Sequence, residues 1–110
     1  MNRSKQKGTA FESALVDYLR ANGFPRAERR AQRGTLDAGD IAGLPATIEA
    51  KNCKLTELGP WMDEAKTEAK NAGTALYAVV HKRRQHSTAE SFVTLPLHLF
   101  VEMLVYVDAP

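Results

Sequence analysis

One segment limits the possible folds more than any other: residues 75–81, with the sequence ALYAVVH, are almost continuously apolar. Such a short run, without alternating polar positions, is typical of a strand that is buried on both faces. A strand of this kind lies in the middle of a sheet whose two faces are covered. The helix predicted just before it ends at Gly73, because glycine readily takes the left-handed conformation. The chain is therefore predicted to be an α/β domain built around this strand.

The other predicted elements flank this strand. Apolar residues at three- and four-residue spacing predict helices over residues 9–22 and 60–71, and a shorter one over 97–104. Residues 24–31 are weakly patterned for a strand, and residues 91–95 favour another. Segments 39–42 and 46–51 are separated by Gly43-Leu44-Pro45, which predicts a hairpin. The resulting order is α-β-β-β-α-β-β-α, a mixed β-sheet flanked by helices.

The length of 110 residues predicts a single domain. We expect residues 1–7 to be a basic N-terminal arm and residues 8–110 to form the domain. No apolar run approaches the roughly 18 residues that span a bilayer. The first eight residues, MNRSKQKG, lack the apolar core of a secretory signal, and the single Cys53 excludes an intrachain disulfide framework. The sequence therefore predicts a soluble, cytoplasmic protein without membrane contact.

The net charge of +2 conceals two regions of opposite sign. Residues 1–36 carry eight basic and three acidic side chains, a net charge of +5. Residues 37–70 carry four basic and seven acidic side chains, a net charge of −3. A basic part beside an acidic part suits a protein that contacts phosphates with one and holds a cation with the other. Ordinary scatter of charge on a soluble surface is the alternative explanation.

Two carboxylates and a lysine stand close together in the acidic region. The predicted hairpin brings Asp40 alongside Glu49, where like charges repel. Mg²⁺ removes this penalty, because it takes oxygen ligands and is commonly held by one or two carboxylates together with substrate phosphate. Lys51 lies two residues after Glu49 and projects from the same face of the strand. Its ammonium can there contact an attacking water or the charge that builds on phosphorus, which suits phosphodiester hydrolysis.

These residues resemble a known signature. Gly39-Asp40 and Glu49-Ala50-Lys51 are similar to the motif of the PD-(D/E)XK nuclease superfamily, with Gly39 in the place of its proline. The resemblance implies a restriction-endonuclease-like fold, in agreement with the mixed sheet and flanking helices predicted above.

The N-terminal helix extends the resemblance. Lys7-Gly8, Glu12 and Leu15, followed by Gly23-Phe24, look like the opening helix of archaeal-type Holliday junction resolvases. The later segments ALYAVVHKRR and TLPLHLF look like small resolvase-like nucleases of phages. The resemblance covers about residues 7–104. It implies an endonuclease that hydrolyses DNA phosphodiesters at four-way junctions with Mg²⁺, for which Mn²⁺ can substitute, and a homodimer that cuts two strands.

The resemblance also implies the role of each site residue. Asp40 and Glu49 would hold the metal, with the main-chain carbonyl of Ala50 as a third ligand. Glu12 would bind the metal directly or through water. Lys51 would orient or deprotonate the nucleophilic water and stabilise the transition state. One or two Mg²⁺ ions would take part.

Basic residues on both sides of this site are candidates for DNA contact. Arg29, Arg30 and Arg33 come just before the acidic centre, and Lys82 and Arg83 follow the central strand. Phosphate contacts of such residues position a nuclease on its substrate. The N-terminal arm adds Lys5 and Lys7. A solvated surface is the alternative for all of them.

Other readings of the sequence remain open. The same site would serve a nuclease acting on flaps, branched ends or duplex DNA. A non-catalytic nucleic-acid-binding module could keep the fold, and an interaction protein could use the charges as surface pairs. Asp37 is interpreted as a turn residue, Trp61 as core or dimer interface, and Cys53 as incidental.

Overall fold

In the computed structural model, residues 3–30 and 37–110 are described. The elements follow in the predicted order, with a short 3₁₀ helix added at Thr88–Glu90. The helices are α1 (Arg3–Ala21), α2 (Leu58–Ala72) and α3 (Leu97–Asp108). The strands are β1 (Glu28–Arg29), β2 (Ile41–Ala42), β3 (Thr47–Lys51), β4 (Tyr77–His81) and β5 (Phe92–Thr94). The predicted α/β class is confirmed, and α1 begins within the segment that the sequence analysis assigned to a separate arm.

Strand β4 lies at the centre of a mixed sheet, as its apolar sequence predicts. The order is β3-β4-β5, with β3 parallel and β5 antiparallel to β4. The first four residues of β4 are buried, whereas Phe92 and Val93 of β5 are exposed. The parallel pair matters for function, because the chain leaves β3 and β4 at the same end of the sheet.

The predicted hairpin between the two segments around Gly43 is wrong. Strand β2 pairs with β1 as a separate two-stranded sheet. A single backbone hydrogen bond, from the Asp40 amide to the Ile48 carbonyl at 3.0 Å, joins the segment before β2 to β3. Gly43 explains the difference: it has a φ of +84°, and a Cβ there would collide with the carbonyl oxygen of Arg26. This close approach brings β2 beside β1.

Helix α1 covers one face of the main sheet. Its residues Phe11, Leu15 and Val16 are buried against Ile41 and Val80. Burial of each large side chain contributes roughly 1.5–3 kcal/mol. The apolar stripe predicted for this helix therefore forms one half of the core.

Helix α2 covers the opposite face with small residues. Trp61, Ala65 and Ala69 pack against Tyr77 and Val79 of β4. The helix ends at Gly73, which has a φ of +76° and donates its amide to the last turn, as predicted. The alanines bring the α2 axis close to the sheet, so polar side chains on this face of the helix reach β3.

Helix α3 is largely unpacked. Leu99 is its one buried residue, although most of its side chains are apolar. Among the described residues, no helix combines the length and the apolar character needed to cross a bilayer.

Candidate metal centre

Asp40 is held by the main chain on both of its sides. Its backbone amide donates to Ile48, and its carbonyl accepts from the Arg30 amide at 2.8 Å. Its Oδ2 accepts a hydrogen bond of 2.7 Å from the Ala50 amide. The carboxylate is thus fixed against the edge of β3 that does not pair with β4, although no β2–β3 ladder forms.

Ala50 presents its backbone to Asp40. Because the N–H and C=O of one strand residue point to the same side, the Ala50 carbonyl also faces this edge. That orientation suits the metal ligand implied by the sequence resemblance. The side chain of Ala50 packs toward the α1 core.

Glu49 projects from the opposite face of β3, toward α2. It is only 5% exposed, and its Oε2 has no hydrogen-bond partner. Glu49 is among the groups that raise the pKa of Asp40, so the two carboxyls are electrostatic neighbours. The structure therefore brings together the two carboxylates that the motif predicts.

Lys51 shares the face of Glu49, as the alternation of side chains predicts. Its Nζ is 3.7 Å from Glu49 Oε1 and 3.3 Å from Glu64 Oε2. The ammonium also lies 5.9 Å from the centre of the Trp61 ring. Trp61 is buried in the core, so it forms a fixed wall beside the lysine.

Helix α2 adds acidic side chains that the sequence analysis missed. Ligand oxygens of Asp37, Glu49, Glu64 and Glu68 all lie within 4.8 Å of one another. Glu68 is 2% exposed, and neither of its carboxylate oxygens has a partner. Asp37, interpreted from the sequence as a turn residue, does accept a hydrogen bond from the Gly39 amide at 3.0 Å. Its carboxylate nevertheless belongs to this group.

A signal for Glu68 was present in the sequence. At 100° per residue, Glu68 falls within the apolar stripe that Trp61, Ala65 and Ala72 define on α2. The small alanines around such a glutamate leave space for its side chain on the buried face, but they offer its carboxylate no hydrogen-bond donor. Glu64 lies one turn earlier and borders the same stripe.

Burial and crowding raise the pKa of three carboxyl groups. Desolvation, with the neighbouring Glu49, raises the pKa of Asp40 to about 8. Desolvation and Glu68 raise the pKa of Glu49 to about 9. Desolvation and Asp37 raise the pKa of Glu68 to about 7. These groups share a site in which negative charge is poorly compensated, which is the condition that a bound cation relieves.

The pKa of Lys51 shifts in the direction that keeps its charge. Burial disfavours the ammonium, but the adjacent Glu49 and Glu64 outweigh it and raise the pKa. Lys51 therefore carries a positive charge at neutral pH.

Glu12 lies near the site but forms a salt bridge with an arginine. Its Oε1 accepts a hydrogen bond of 3.2 Å from Nε of Arg29. Its charge contributes to the raised pKa of Asp40. Glu12 is separate from the compact group of four carboxylates found among the described residues.

The candidate DNA-contacting residues occupy two borders of the site. Arg30 is exposed beside Asp40, whereas Arg29 is engaged by Glu12. Lys82 and Arg83 follow β4 at the end where Lys51 leaves β3, and the Lys82 amide donates to the Lys51 carbonyl at 2.9 Å. Arg83 also stacks on Phe92 at 5.4 Å.

The remaining basic candidates lie on or beyond the N-terminal helix. Lys7 is half-buried on α1. Arg33 and the side chain of Lys5 lie outside the described residues.

The donor set fits a hard divalent cation. All candidate ligands are carboxylate or carbonyl oxygens, which Mg²⁺ and Mn²⁺ prefer. Three buried oxygens, one on Glu49 and two on Glu68, have no partner. Cys53 is exposed and takes no part in the group. Nitrogen and sulfur ligands that would favour zinc are therefore missing from the carboxylate group that the structure describes.

Comparison of the chain with protein-family models, with curated proteins and with solved structures gives no match. Function is therefore inferred from the geometry and chemistry of the site.

Proposed function

We propose that this chain is a Mg²⁺-dependent, structure-selective DNA endonuclease of the PD-(D/E)XK type, acting on four-way junctions as a Holliday junction resolvase. One observation carries the proposal: Asp40, fixed by the Ala50 amide at 2.7 Å, meets the buried Glu49, and Lys51 stands beside them. A surface arrangement of charges does not explain why several carboxylates are buried beside a single lysine. The restriction-endonuclease-like fold is part of this proposal.

In this mechanism Asp40, Glu49 and the Ala50 carbonyl would hold the metal. When bound, Mg²⁺ would activate water and neutralise charge on the phosphate. The charged ammonium of Lys51 contacts the negative charge that develops on the phosphoryl oxygens. Because its neighbours raise its pKa, Lys51 suits this electrostatic role better than the removal of a proton from water. Glu12 would act indirectly, by holding Arg29 at the edge of the site.

Basic side chains at two borders of the site support a nucleic-acid substrate. Arg30 on one side and Lys82 and Arg83 on the other could contact phosphates that flank the scissile bond. A DNA substrate also implies an intracellular location, with the cytoplasm as the proposed compartment.

Helix α3 supports the homodimer. Eight of its large apolar side chains are exposed, including Tyr106 at 84% and Val107 at 79%. Exposed apolar side chains in this number are typical of an interaction surface. A second copy is the occupant that the reaction requires, because a four-way junction has two-fold symmetry and paired cuts need two sites.

A cleavage assay tests the proposal. End-labelled four-way junction, flap and linear duplex are incubated with the protein in Mg²⁺ or in EDTA. Symmetric nicks confined to the junction are expected, and EDTA should abolish them. Asp40→Asn should abolish cutting, and Lys51→Ala should slow it at least about 100-fold, while both variants still bind the junction. Asp63→Asn and Lys54→Ala, which change exposed residues outside the site, are the matched controls.

Each alternative has its own outcome in this assay. Equal cutting of flaps or duplex would replace the junction-specific assignment with a broader nuclease. Junction binding without cleavage in either Mg²⁺ or Mn²⁺ would favour a non-catalytic binding module. Normal cutting by Asp40→Asn would overturn the assignment of the site.

A further inference from the structure

The carboxylates on the α2 side of β3 are more numerous than one metal at Asp40 requires. Glu68 is nearly completely buried, lies within the group formed by Asp37, Glu49 and Glu64, and has two unpartnered oxygens. Glu49 contributes a third unpartnered oxygen to the same space. A buried carboxylate without a hydrogen-bond donor costs several kcal/mol if it is charged. Three such oxygens in one place call for a positive partner.

The side chains of the described residues supply little positive charge to compensate these carboxylates. Within the described residues, Lys51 is the one cationic side chain in salt-bridge contact with these four carboxylates. It contacts Glu49 and Glu64, and no salt bridge joins it to Glu68 or Asp37 in the part of the chain that is described. The deepest carboxylate of the group is thus the least compensated.

The spacing of the ligand oxygens matches a hard cation. They all lie within 4.8 Å of one another. Opposite oxygens around Mg²⁺ are about 4.0–4.2 Å apart, and those around Ca²⁺ about 4.6–5.2 Å, given the usual metal–oxygen distances. The oxygens are therefore close enough together to surround one hard cation.

The chain also fixes Asp37 in place against α2. The side-chain amide of Asn71 donates to the Asp37 carbonyl at 2.8 Å, and Asp37 Oδ1 accepts from the Gly39 amide. The loop that precedes Asp40 is thereby tied to the helix that carries Glu68. Hydrogen bonds thus connect the Asp37 side of the carboxylate group to α2.

We propose that Glu49, Glu68 and Asp37 bind a second divalent cation between β3 and α2, with Glu64 at its solvent-facing rim. This inference rests on the proposed function, because Glu49 would be shared with the cation held by Asp40 and the Ala50 carbonyl. The site accepts Mg²⁺ or Mn²⁺.

Counting bound Mn²⁺ tests this proposal without any catalytic readout. The full-length protein is titrated with Mn²⁺ alone, and free Mn²⁺ is measured by electron paramagnetic resonance. We expect two Mn²⁺ per chain in the wild type, one in Glu68→Gln and one in Asp40→Asn. Glu57→Gln is the matched control, because Glu57 is exposed and makes no side-chain capping bond at the start of α2.

Thermal unfolding distinguishes a metal-binding role of Glu68 from a purely structural role. In EDTA, Glu68→Gln should unfold at the same temperature as the wild type or higher, since it removes an uncompensated buried carboxylate. The increase in Tm on adding Mn²⁺ should be smaller in Glu68→Gln than in the wild type. A structural role alone would lower Tm in EDTA and leave the Mn²⁺ increment unchanged.

The results distinguish this inference from the proposed function. A single Mn²⁺ in the wild type, or two in Glu68→Gln, would overturn the second site even if the protein cuts junctions. Two Mn²⁺ in a wild type that cuts no DNA would uphold the site and refute the nuclease.

Discussion

Gly39 determines how Asp40 reaches its place. It has a φ of +99°, and a Cβ there would lie 2.8 Å from the Thr47 methyl group and 3.2 Å from the Ile48 carbonyl oxygen. Proline, the residue named in the motif, is restricted to a φ near −65° and could not replace it. The sequence predicts that Asp40 keeps its role as a metal ligand although Gly39 stands in place of the proline. It could not reveal that this backbone requires glycine, because a positive φ is set by the packing of β3.

Replacement of Gly39 by alanine should therefore damage the site and the fold together. We expect Gly39→Ala to cost about 1–3 kcal/mol of unfolding free energy, from the unfavourable φ and the contact with Thr47. Gly59→Ala is the matched control, because a Cβ at Gly59 meets nothing within 4 Å. Chemical denaturation measures the unfolding free energy of both variants. Equal stability of the two variants would contradict the packing argument.

At the level of elements, local sequence explains some features and packing explains others. Strand β4 and the end of α2 at Gly73 were predictable, because an apolar run and a helix-stopping glycine act locally. The hairpin was not, because the pairing of β2 with β1 depends on the contact between Gly43 and Arg26, which are distant in sequence. Glu68 was missed although it falls within the apolar stripe of α2, because a glutamate in a helix is ordinarily exposed. Strand alternation predicted that Lys51 shares the face of Glu49. Asp40 was expected beside Glu49 because of a hairpin that does not form, and the hydrogen bond from the Ala50 amide holds Asp40 at this strand instead.

We expect the exposed helix α3 to form the interface of the dimer. If a second copy packs on it, Tyr106→Glu combined with Val107→Glu should convert a dimer into a monomer of 12.1 kDa. Both side chains are exposed in the single chain, so the fold should survive. Leu55→Glu, at an exposed apolar position outside α3, is the control and should remain dimeric. Light scattering after size-exclusion chromatography gives the mass. A monomeric wild type would refute the interface.

The distribution of charge over the whole molecule predicts how DNA binding responds to salt. Arg30 and Lys82 border opposite sides of the carboxylate site, and Arg30 has no salt-bridge partner among the described residues. Arg30→Gln and Lys82→Gln should each weaken junction binding and reduce the slope of log K against log salt by about 1. Lys66→Gln, exposed on α2, should leave the slope unchanged. Titrations of Asp40→Asn protein without metal measure binding separately from cleavage. An unchanged slope would exclude a phosphate contact.

The buried carboxylates also link the stability of the whole chain to pH. Asp40, Glu49 and Glu68 have pKa values raised to about 8, 9 and 7, so the metal-free folded chain keeps protons that the unfolded chain releases near pH 4. Their contribution to stability is complete below the ordinary carboxyl pKa and is lost as pH rises through 7 to 9. Each group changes the unfolding free energy by up to about 1.4 kcal/mol per pH unit. His81 does not titrate above pH 7, because burial lowers its pKa.

In EDTA, Tm should therefore fall by at least about 5 °C between pH 7 and 9. Mn²⁺ binds the deprotonated carboxylates, so the increase in Tm that it produces should grow over the same range. Asp40→Asn removes the group whose pKa is about 8 and should reduce the fall in EDTA, whereas Glu57→Gln should not. Scanning calorimetry at half-unit pH steps gives both curves. A Tm in EDTA that is constant or rises with pH would mean that these carboxylates are already compensated within the chain, and the case for bound cations would lose its physical basis.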